Sequence, residues 1–369
     1  MTDGGAGRSL LDLIKSVEGE VEPYVLFANK CATYDFFVEK GIKCFVHPFV
    51  GIVKNSGHGK LHLLFHPWRT YFGKWLRYDL PCLFFVRKLI RKEKIDLIHT
   101  NLFCFTLGWS IQHFLHVKHV WHIREYAESA FLGGEIAGGR KRLTRKMNSA
   151  DARIVSSKTC LDFWNFKKEN TWAILDAVRS IDDCCYEKDK QPYILFCSNW
   201  ISEAKGAFKA VRSFGLSGLA KEGIRLRFIG KRQDSIQSAL LFLAKAYNCA
   251  DSIDFLPFQT DVKPHFQFAR AFLQPSHHEG MGRTLAEAMF CGCPVVALAS
   301  GGTLDLVRHG ETGWLFHTEE ECAELLRTVC TTDQERIILK AQDFAKSNLS
   351  IENYGPKVLA VYKAVLGAE

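Results

Sequence analysis

No stretch of this chain reaches the roughly 20 consecutive apolar residues that a bilayer-spanning helix needs. The most apolar stretch, Asn101 to Val117, is broken by Gln112, His113 and His116 and reads as a buried strand and helix. The N-terminus, Met-Thr-Asp-Gly-Gly, has neither a basic segment nor an apolar run behind it. No secretory signal is visible, so a cytoplasmic protein is expected. A CxxC pair is also lacking: of 13 cysteines only Cys184-Cys185 and Cys291-x-Cys293 stand close together. That usage fits buried, reduced thiols better than a disulfide scaffold or a zinc site, and no metal is expected. Short-period repeats and low-complexity segments are missing. No helix-turn-helix, zinc-finger or RNA-binding motif accompanies the positive charge, which argues against a nucleic-acid partner.

What is present is an ordinary globular balance, 47% hydrophobic and 24% charged, over 369 residues. That length favours two domains. The net charge of +8 is uneven, because residues 1–187 hold 27 Lys and Arg against 20 Asp and Glu. The surplus concentrates in Arg69 to Lys94 and Arg140 to Lys146. The first run interleaves cations with Trp68, Tyr71, Phe72, Trp75, Leu76, Leu83, Phe84 and Phe85, which suits a helix lying on an anionic membrane surface at the inner face. A solvated helix face over a core stripe explains the same pattern equally well.

Short β-rich runs alternate with amphipathic helical ones. Pro23 to Ala28, Lys43 to His47, Ile95 to His99, Lys118 to His122 and Ala152 to Ser156 form a first round. The charged stretch Asp182 to Pro192 interrupts it as a linker. A second round follows at Tyr193 to Cys197, Leu226 to Ile229, Ile253 to Leu256, Ala271 to Gln274, Pro294 to Ala297 and Gly313 to Phe316. Strand and helix alternation predicts an α/β protein with parallel, doubly wound, Rossmann-like sheets. Two such domains would face each other across a cleft, with ligands at the carboxyl ends of the strands.

The most informative segment is Pro275 to Ala297. Glu279 and Glu287 stand there with seven residues between them, around a Gly-x-Gly turn that opens a helix. A carboxylate at Glu279, ahead of the helix, can accept hydrogen bonds from ligand hydroxyls while the amides of Gly280, Met281 and Gly282 point the same way. Glu287, about two turns on, can grip vicinal hydroxyls such as those of a ribose. Ala299 to Val307 then places Gly301, Gly302 and Thr303 between a strand and a helix, where amides and dipole can hold a diphosphate. Two glutamates on a solvated helix are the bland alternative.

This run closely resembles the retaining nucleotide-sugar glycosyltransferases of family 4, which have the GT-B fold. Their E-x7-E signature (Glu279, Glu287), the Gly292, Pro294, Val295, Val296 turn, the Gly301-Gly302-Thr303 loop and the Gly310-x-Thr312-Gly313 hairpin match in order and spacing. More loosely, Gly4 and Gly5 look like the family's first glycine-rich loop, Ile95 to Thr100 and Ala150 to Ser157 like two of its strands, and Ser350 to Leu366 like its returning terminal helix. The resemblance implies an acceptor-binding domain over residues 1–187, joined by a crossing helix from about 350 to 369, and a donor-binding domain over 188–349.

It further implies transfer of a sugar from a nucleotide-diphosphate sugar to a saccharide or lipid-linked acceptor, with retention, in glycan or polysaccharide biosynthesis. The nucleotide sugar is then a substrate, and no cofactor is expected. Catalytic roles fall on Glu279, on Lys205 of Ala204-Lys205-Gly206, and on His122, where the family often has a cleft histidine. A structural histidine at a strand end is the other reading of His122. Donor contacts fall on Glu287, Gly280, Met281, Gly282, Arg283, Gly301, Gly302, Thr303, Gly4 and Gly5. The family's arginine beside the lysine is missing, and Trp200 stands about where it should be; Lys231, Arg232 or Arg283 could compensate by position. Only Met1-Thr2 precede the first loop, where a buried strand is expected, so the strand lies upstream or another segment fills its slot. The rival reading is a non-catalytic nucleotide-sugar-binding or scaffold protein. A dinucleotide-dependent oxidoreductase lacks a clean GxGxxG at a strand end with an acid about twenty residues on.

Overall fold

The structure is a computed structural model that describes residues 5–54, 72–126, 135–277 and 279–367. Contacts divide the chain into two compact units, residues 1–175 with 354–369, and residues 176–353. Among the described residues no helix is long and apolar enough to cross a membrane.

Unit 1 runs α1 (Gly5–Ser16), β1 (Tyr24–Phe27), α2 (Ala32–Glu39), β2 (Lys43–Val46) and β3 (Val53–Lys54). A π-helical turn at Trp75–Asp79 leads into α3 (Leu80–Glu93), then β4 (Leu97–Asn101), α4 (Leu107–Leu115), β5 (Lys118–Ile123), β6 (Glu135–Ile136), α5 (Arg140–Asn148), β7 (Ala152–Val155), α6 (Lys158–Trp164) and β8 (Thr171–Ala173). β4, β5, β7 and β8 pair in that order, all parallel, while β1 and β2 form a separate parallel pair. Cys82, Leu83 and Val86 of α3 pack in one cluster with Leu26 of β1 and Ile98 of β4, so a single helix covers both sheets.

Unit 2 runs β9 (Gln191–Trp200), α7 (Ala207–Ser217), β10 (Arg225–Lys231), α8 (Asp234–Ala246), β11 (Ile253–Leu256), α9 (Lys263–Phe268), β12 (Ala269–Gln274) and α10 (Arg283–Phe290). β13 (Val295–Leu298), α11 (Thr303–Leu306), β14 (Trp314–Phe316), α12 (Glu319–Thr331) and α13 (Glu335–Leu349) follow, and then α14 (Ile351–Leu366), which belongs to unit 1 from Tyr354 on. Its six strands lie in the order β11-β10-β9-β12-β13-β14, all parallel. The apolar runs Tyr193–Phe196 and Val295–Leu298 are buried throughout, as strands covered on both faces must be. The chain winds outward from β9 to β11, then returns to β12 on the other side of β9. The order therefore reverses between β9 and β12, and the loops after these two strands flank the switch point where such sheets bind ligands.

The stretch Asp182 to Pro192, expected as a linker with the domain boundary at residue 187, is part of unit 2, and the division falls at Leu175. Hydrogen bonds explain the difference: Val178 N–H donates to Leu349 O at 2.9 Å and Cys185 N–H to Phe290 O at 3.1 Å. Gln191 and Pro192 are already the first residues of β9, and Gln191 pairs with Ala269. At the other end the division falls between Asn353 and Tyr354, inside α14.

Candidate functional site

In unit 2 the loop after β9 closes in a short turn, Glu203–Lys205, followed by Gly206 at φ +78°. A Cβ at Gly206 would lie 2.4 Å from Pro275 O, so only glycine lets this loop touch the one after β12. The touch brings Lys205 and Glu279 together across 74 residues of sequence, with Lys205 Nζ donating to Glu279 Oε1 at 2.7 Å. Lys205 remains partly open to solvent and Glu279 is mostly covered.

Glu279 belongs to the loop that ends at Gly282, the residue before α10. The sequence Leu285 to Phe290 is buried throughout, which fixes α10 against the sheet and turns Arg283 and Glu287 onto one face. Glu287 is 5% exposed, and Arg283 Nη2 lies 3.9 Å from its Oε1 at the i, i+4 spacing. Arg283 Nη1 also donates to Ala177 O at 2.9 Å. Met281 is buried, with its sulfur accepting from Asp176 N–H at 3.1 Å.

Gly302 meets this loop backbone to backbone. Gly302 N–H donates to Glu279 O at 2.9 Å, and a Cβ on Gly302 would lie 2.2 Å from Gly280 O. This corrects the expectation that Gly302 offers its amide to a diphosphate: the amide serves to hold two loops together. The helix it opens, α11, is four residues long, too short for a strong dipole. Thr303 is buried, and its Oγ1 has no partner among the described residues.

Two of the cations named as substitutes for the missing arginine are engaged within unit 2. Arg232 donates to Gln237 Oε1 at 2.6 Å and to Leu256 O at 3.0 Å, and Arg283 is held as above. Lys231 lies over the Phe258 ring at 4.8 Å. Trp200, at the end of β9, is half exposed. Lys209 went unread: one turn after Lys205 on α7, it places Nζ 2.9 Å from His277 Nε2.

In unit 1, His122 lies fully buried in β5, opposite Asn101 of β4. Its Nδ1 is 3.2 Å from Arg124 Nη2, Arg124 Nε donates to Asn101 Oδ1 at 2.8 Å, and Asn101 Nδ2 donates to Ala6 O at 3.1 Å. The His99 ring stands edge-on to His122 at 5.3 Å, and His99 Nδ1 is 2.8 Å from the Tyr362 hydroxyl. Burial raises the Tyr362 phenol above its ordinary range. The structure thus gathers His122 with the start of α1, which begins at Gly5, at the carboxyl ends of β4 and β5; Gly4 lies outside the described residues. Asn101, Arg124 and Tyr362 were not singled out in the sequence, since no motif marks them.

His119, in the same strand, is structural. It contacts Thr100 Oγ1 at 2.8 Å, and burial pushes it down to about 3. A second buried group is Asp79, fully covered, whose Oδ1 accepts from Val50 N–H at 2.9 Å. Burial pushes its carboxyl up to about 6 against the opposing pull of the Val50 hydrogen bond and Lys146. Lys146, over the Trp109 ring at 4.0 Å, is lowered to about 8, first by burial and then by Arg142.

Residues 185–344 match the family model described as "Glycosyl transferases group 1". An "uncharacterized glycosyltransferase" of Haemophilus influenzae is 31% identical over 144 residues, 38% of this chain and 39% of that protein. A D-inositol 3-phosphate glycosyltransferase of Mycobacterium tuberculosis is 33% identical over 135 residues, 35% of this chain and 28% of that protein. These matches span about two fifths or less of the curated relatives. Among solved structures, Anabaena HepE in complex with UDP and glucose aligns over 98% of this chain and 96% of that one, with TM-score 0.76 and 19% identity. A glycosyltransferase from Rickettsia africae aligns over 100% of this chain and 97% of that one, with TM-score 0.79 and 16% identity. The chain has the GT-B fold, and the family match and relatives place its second unit with the GT-B glycosyltransferase superfamily.

Proposed function

We propose that the protein is a retaining, family 4 type glycosyltransferase that moves a sugar from a nucleotide-diphosphate sugar to a saccharide or lipid-linked acceptor in glycan or polysaccharide biosynthesis. The observation that carries the reading is the Lys205–Glu279 pair at the sheet's switch point, with Arg283 and Glu287 one face behind it on α10. Unit 2 is the donor-binding half and unit 1, with its polar cluster around His122, the acceptor-binding half. Glu279 accepts hydrogen bonds from donor hydroxyls while Lys205 stabilises the charge that grows on the departing diphosphate. No metal takes that role in this reading. Glu287 grips the ribose, with Arg283 keeping its carboxylate oriented. The leaving diphosphate takes the acceptor proton as the new bond forms on the same face of the sugar.

The UDP bound by Anabaena HepE favours a UDP-sugar donor. A thermal-shift panel of UDP, GDP and ADP with their sugars tests this, with UDP compounds expected to raise the melting temperature most. The non-catalytic alternative is favoured by one observation, exposed Trp200 where an arginine is expected. Glu279→Ala separates the two readings. It should abolish donor hydrolysis, and unchanged turnover would sink the enzyme reading.

Unit 1 also exposes Phe72, Leu76, Phe84 and Phe114, with Phe72 stacked on Trp75 at 6.2 Å, and Arg77, Arg87 and Lys88 in the same stretch of sequence are exposed as well. Such a face fits an anionic membrane surface. Part of the run, Trp68, Arg69 and Tyr71, lies outside the described residues. Co-sedimentation with anionic liposomes is expected at low salt, and absence of pelleting would dispose of it.

A further inference from the structure

Two cysteines of unit 2, Cys185 and Cys291, stand close enough for each thiol to shift the proton affinity of the other. Their backbones are in contact as well. Cys185 N–H donates to Phe290 O at 3.1 Å, the carbonyl immediately before Cys291. Gln342 Nε2 clamps the same pair of segments, donating to Cys185 O at 2.7 Å and to Phe290 O at 3.1 Å. On the other side of Cys291 a Cβ at Gly292 would stand 2.9 Å from Cys185 O, so the two chains lie flat together. A disulfide needs its Cα atoms roughly 4.4–6.8 Å apart with the side chains facing. Hydrogen-bonded backbones bring Cys185 and Cys291 side by side, the placement such a bond requires.

The pair is also chemically unsymmetrical. Cys291 is fully buried and its thiol is held protonated, first by the neighbouring Cys185 thiol and then by burial. Cys185 is half-buried, and its thiol is held below the ordinary range by the neighbouring Cys291 thiol and then by Lys263, Arg179 and Lys190. An accessible thiolate beside a buried thiol is the division of labour between an attacking and a resolving cysteine. Cys293, Cys322 and Cys330 lack this character, since burial raises each of them.

We propose that Cys185 and Cys291 are a reversible oxidation site that closes to a disulfide when the protein meets hydrogen peroxide. The Cys185 thiolate attacks one peroxide oxygen, the O–O bond breaks, hydroxide leaves, and Cys185 becomes a sulfenic acid, oxidised by two electrons. The Cys291 sulfur then attacks the Cys185 sulfur, the S–O bond breaks, and water leaves with the Cys291 proton. The net change is two thiols and one peroxide to one disulfide and two waters, and a dithiol reverses it. The staple fixes the segment that enters unit 2 to the end of α10. Cys291 N–H donates to Glu287 O at 3.1 Å, so the crosslink sits one turn beyond the candidate site. The oxidation does not depend on what unit 2 binds.

The experiment treats the full chain with a small excess of hydrogen peroxide, alkylates, and measures intact mass, peptide map and melting temperature. The expected product is lighter by two hydrogens, joins the peptides containing Cys185 and Cys291, and returns to the starting mass with dithiothreitol. Its closed loop of about a hundred residues should raise the melting temperature of the unit by roughly 10 °C. Cys185→Ser should block the product and Cys184→Ser should leave it. Should Cys291→Ala fail to fold, the map of the native protein decides alone. A crosslink to Cys184, the same mass loss in Cys185→Ser, irreversible oxidation of Cys185 with Cys291 still alkylated on denaturation, or an unchanged melting temperature would overturn the proposal.

Discussion

Removing the Lys205 ammonium separates a structural from a catalytic role for that cation. In the structure its Nζ touches Glu279 Oε1 at 2.7 Å, with the lysine side chain 39% and the glutamate 18% exposed. A pair this open to water is screened, so its loss in Lys205→Ala should cost at most about 1 kcal/mol of stability. For a domain of this size that is about 2–4 °C in melting temperature. Glu279 is left unpaired but keeps contact with solvent, so no buried charge is stranded. The catalytic cost is of another order. If Lys205 also faces the departing diphosphate, its interaction strengthens as the bond breaks, and deleting one such group typically costs about 2.7–4 kcal/mol, or 10² to 10³ in kcat. Because that interaction is made mainly in the transition state, kcat should fall while KM for the donor moves little.

The assay is initial-rate release of nucleoside diphosphate from the donor that gives the largest thermal shift, run beside melting curves for wild type, Lys205→Ala and Lys205→Arg. Arginine keeps the charge but not the compact ammonium, and should recover part of the rate. A Lys205→Ala enzyme within about threefold of wild type in kcat would rule out a catalytic role for this cation. A melting temperature so depressed that unfolding accounts for the lost rate would assign it a structural role instead.

Asp79→Asn should stabilise the protein at neutral pH. The folded carboxyl lies at about 6 against an ordinary value of 3.8, so Asp79 favours folding below pH 4 and loses that contribution as pH rises through 6. About two pK units correspond to at most ~3 kcal/mol. Urea melts at pH 4 and pH 7.5 should show the two proteins diverging only at the higher pH, since an amide oxygen can still accept from Val50 N–H. Gly302→Ala should force the Gly280 to Gly282 loop away, because its Cβ would lie 2.2 Å from Gly280 O. Overpacking of this kind costs about 1–3 kcal/mol. At least tenfold weaker UDP binding by calorimetry is expected, with an unchanged circular dichroism spectrum.

Much of the sheet framework was legible because apolar runs buried on both faces leave a composition that loops do not share. Ile253 to Leu256 coincides with β11, and Lys118 to His122 differs from β5 by one residue. β9 is longer than expected at both ends, because Gln191, polar and turn-like, pairs with Ala269 of β12 and Trp200 pairs with Lys231 of β10. The Asp182 to Lys190 stretch misled for a related reason. What ties it to unit 2 is one backbone bond to Phe290 and side-chain bonds through Lys190, Lys263 and Gln342, whose partners lie 70 or more residues away in sequence and leave no local pattern. β3 and β6 pair over two residues each, too short for any period to show.

The site was legible to the extent that sterics write it into the sequence. Gly206 and Gly302 stand where a Cβ would strike Pro275 O or Gly280 O, so glycine is obligatory and can be read. Lys205 and Glu279 could be named from their motifs, but their contact follows from β9 and β12 being neighbours, a fact of topology. The direction in which a backbone amide points is hidden altogether. A glycine that brings two loops together and a glycine that presents its N–H to a phosphate look identical in sequence, and Gly302 is of the first kind. The same blindness covers Cys185 and Cys291, more than a hundred residues apart, whose encounter depends on one backbone hydrogen bond and the Gln342 clamp. Sequence therefore names the chemistry available to this chain, while the pairing of β9 with β12 and the backbone bonds around α10 decide which groups meet.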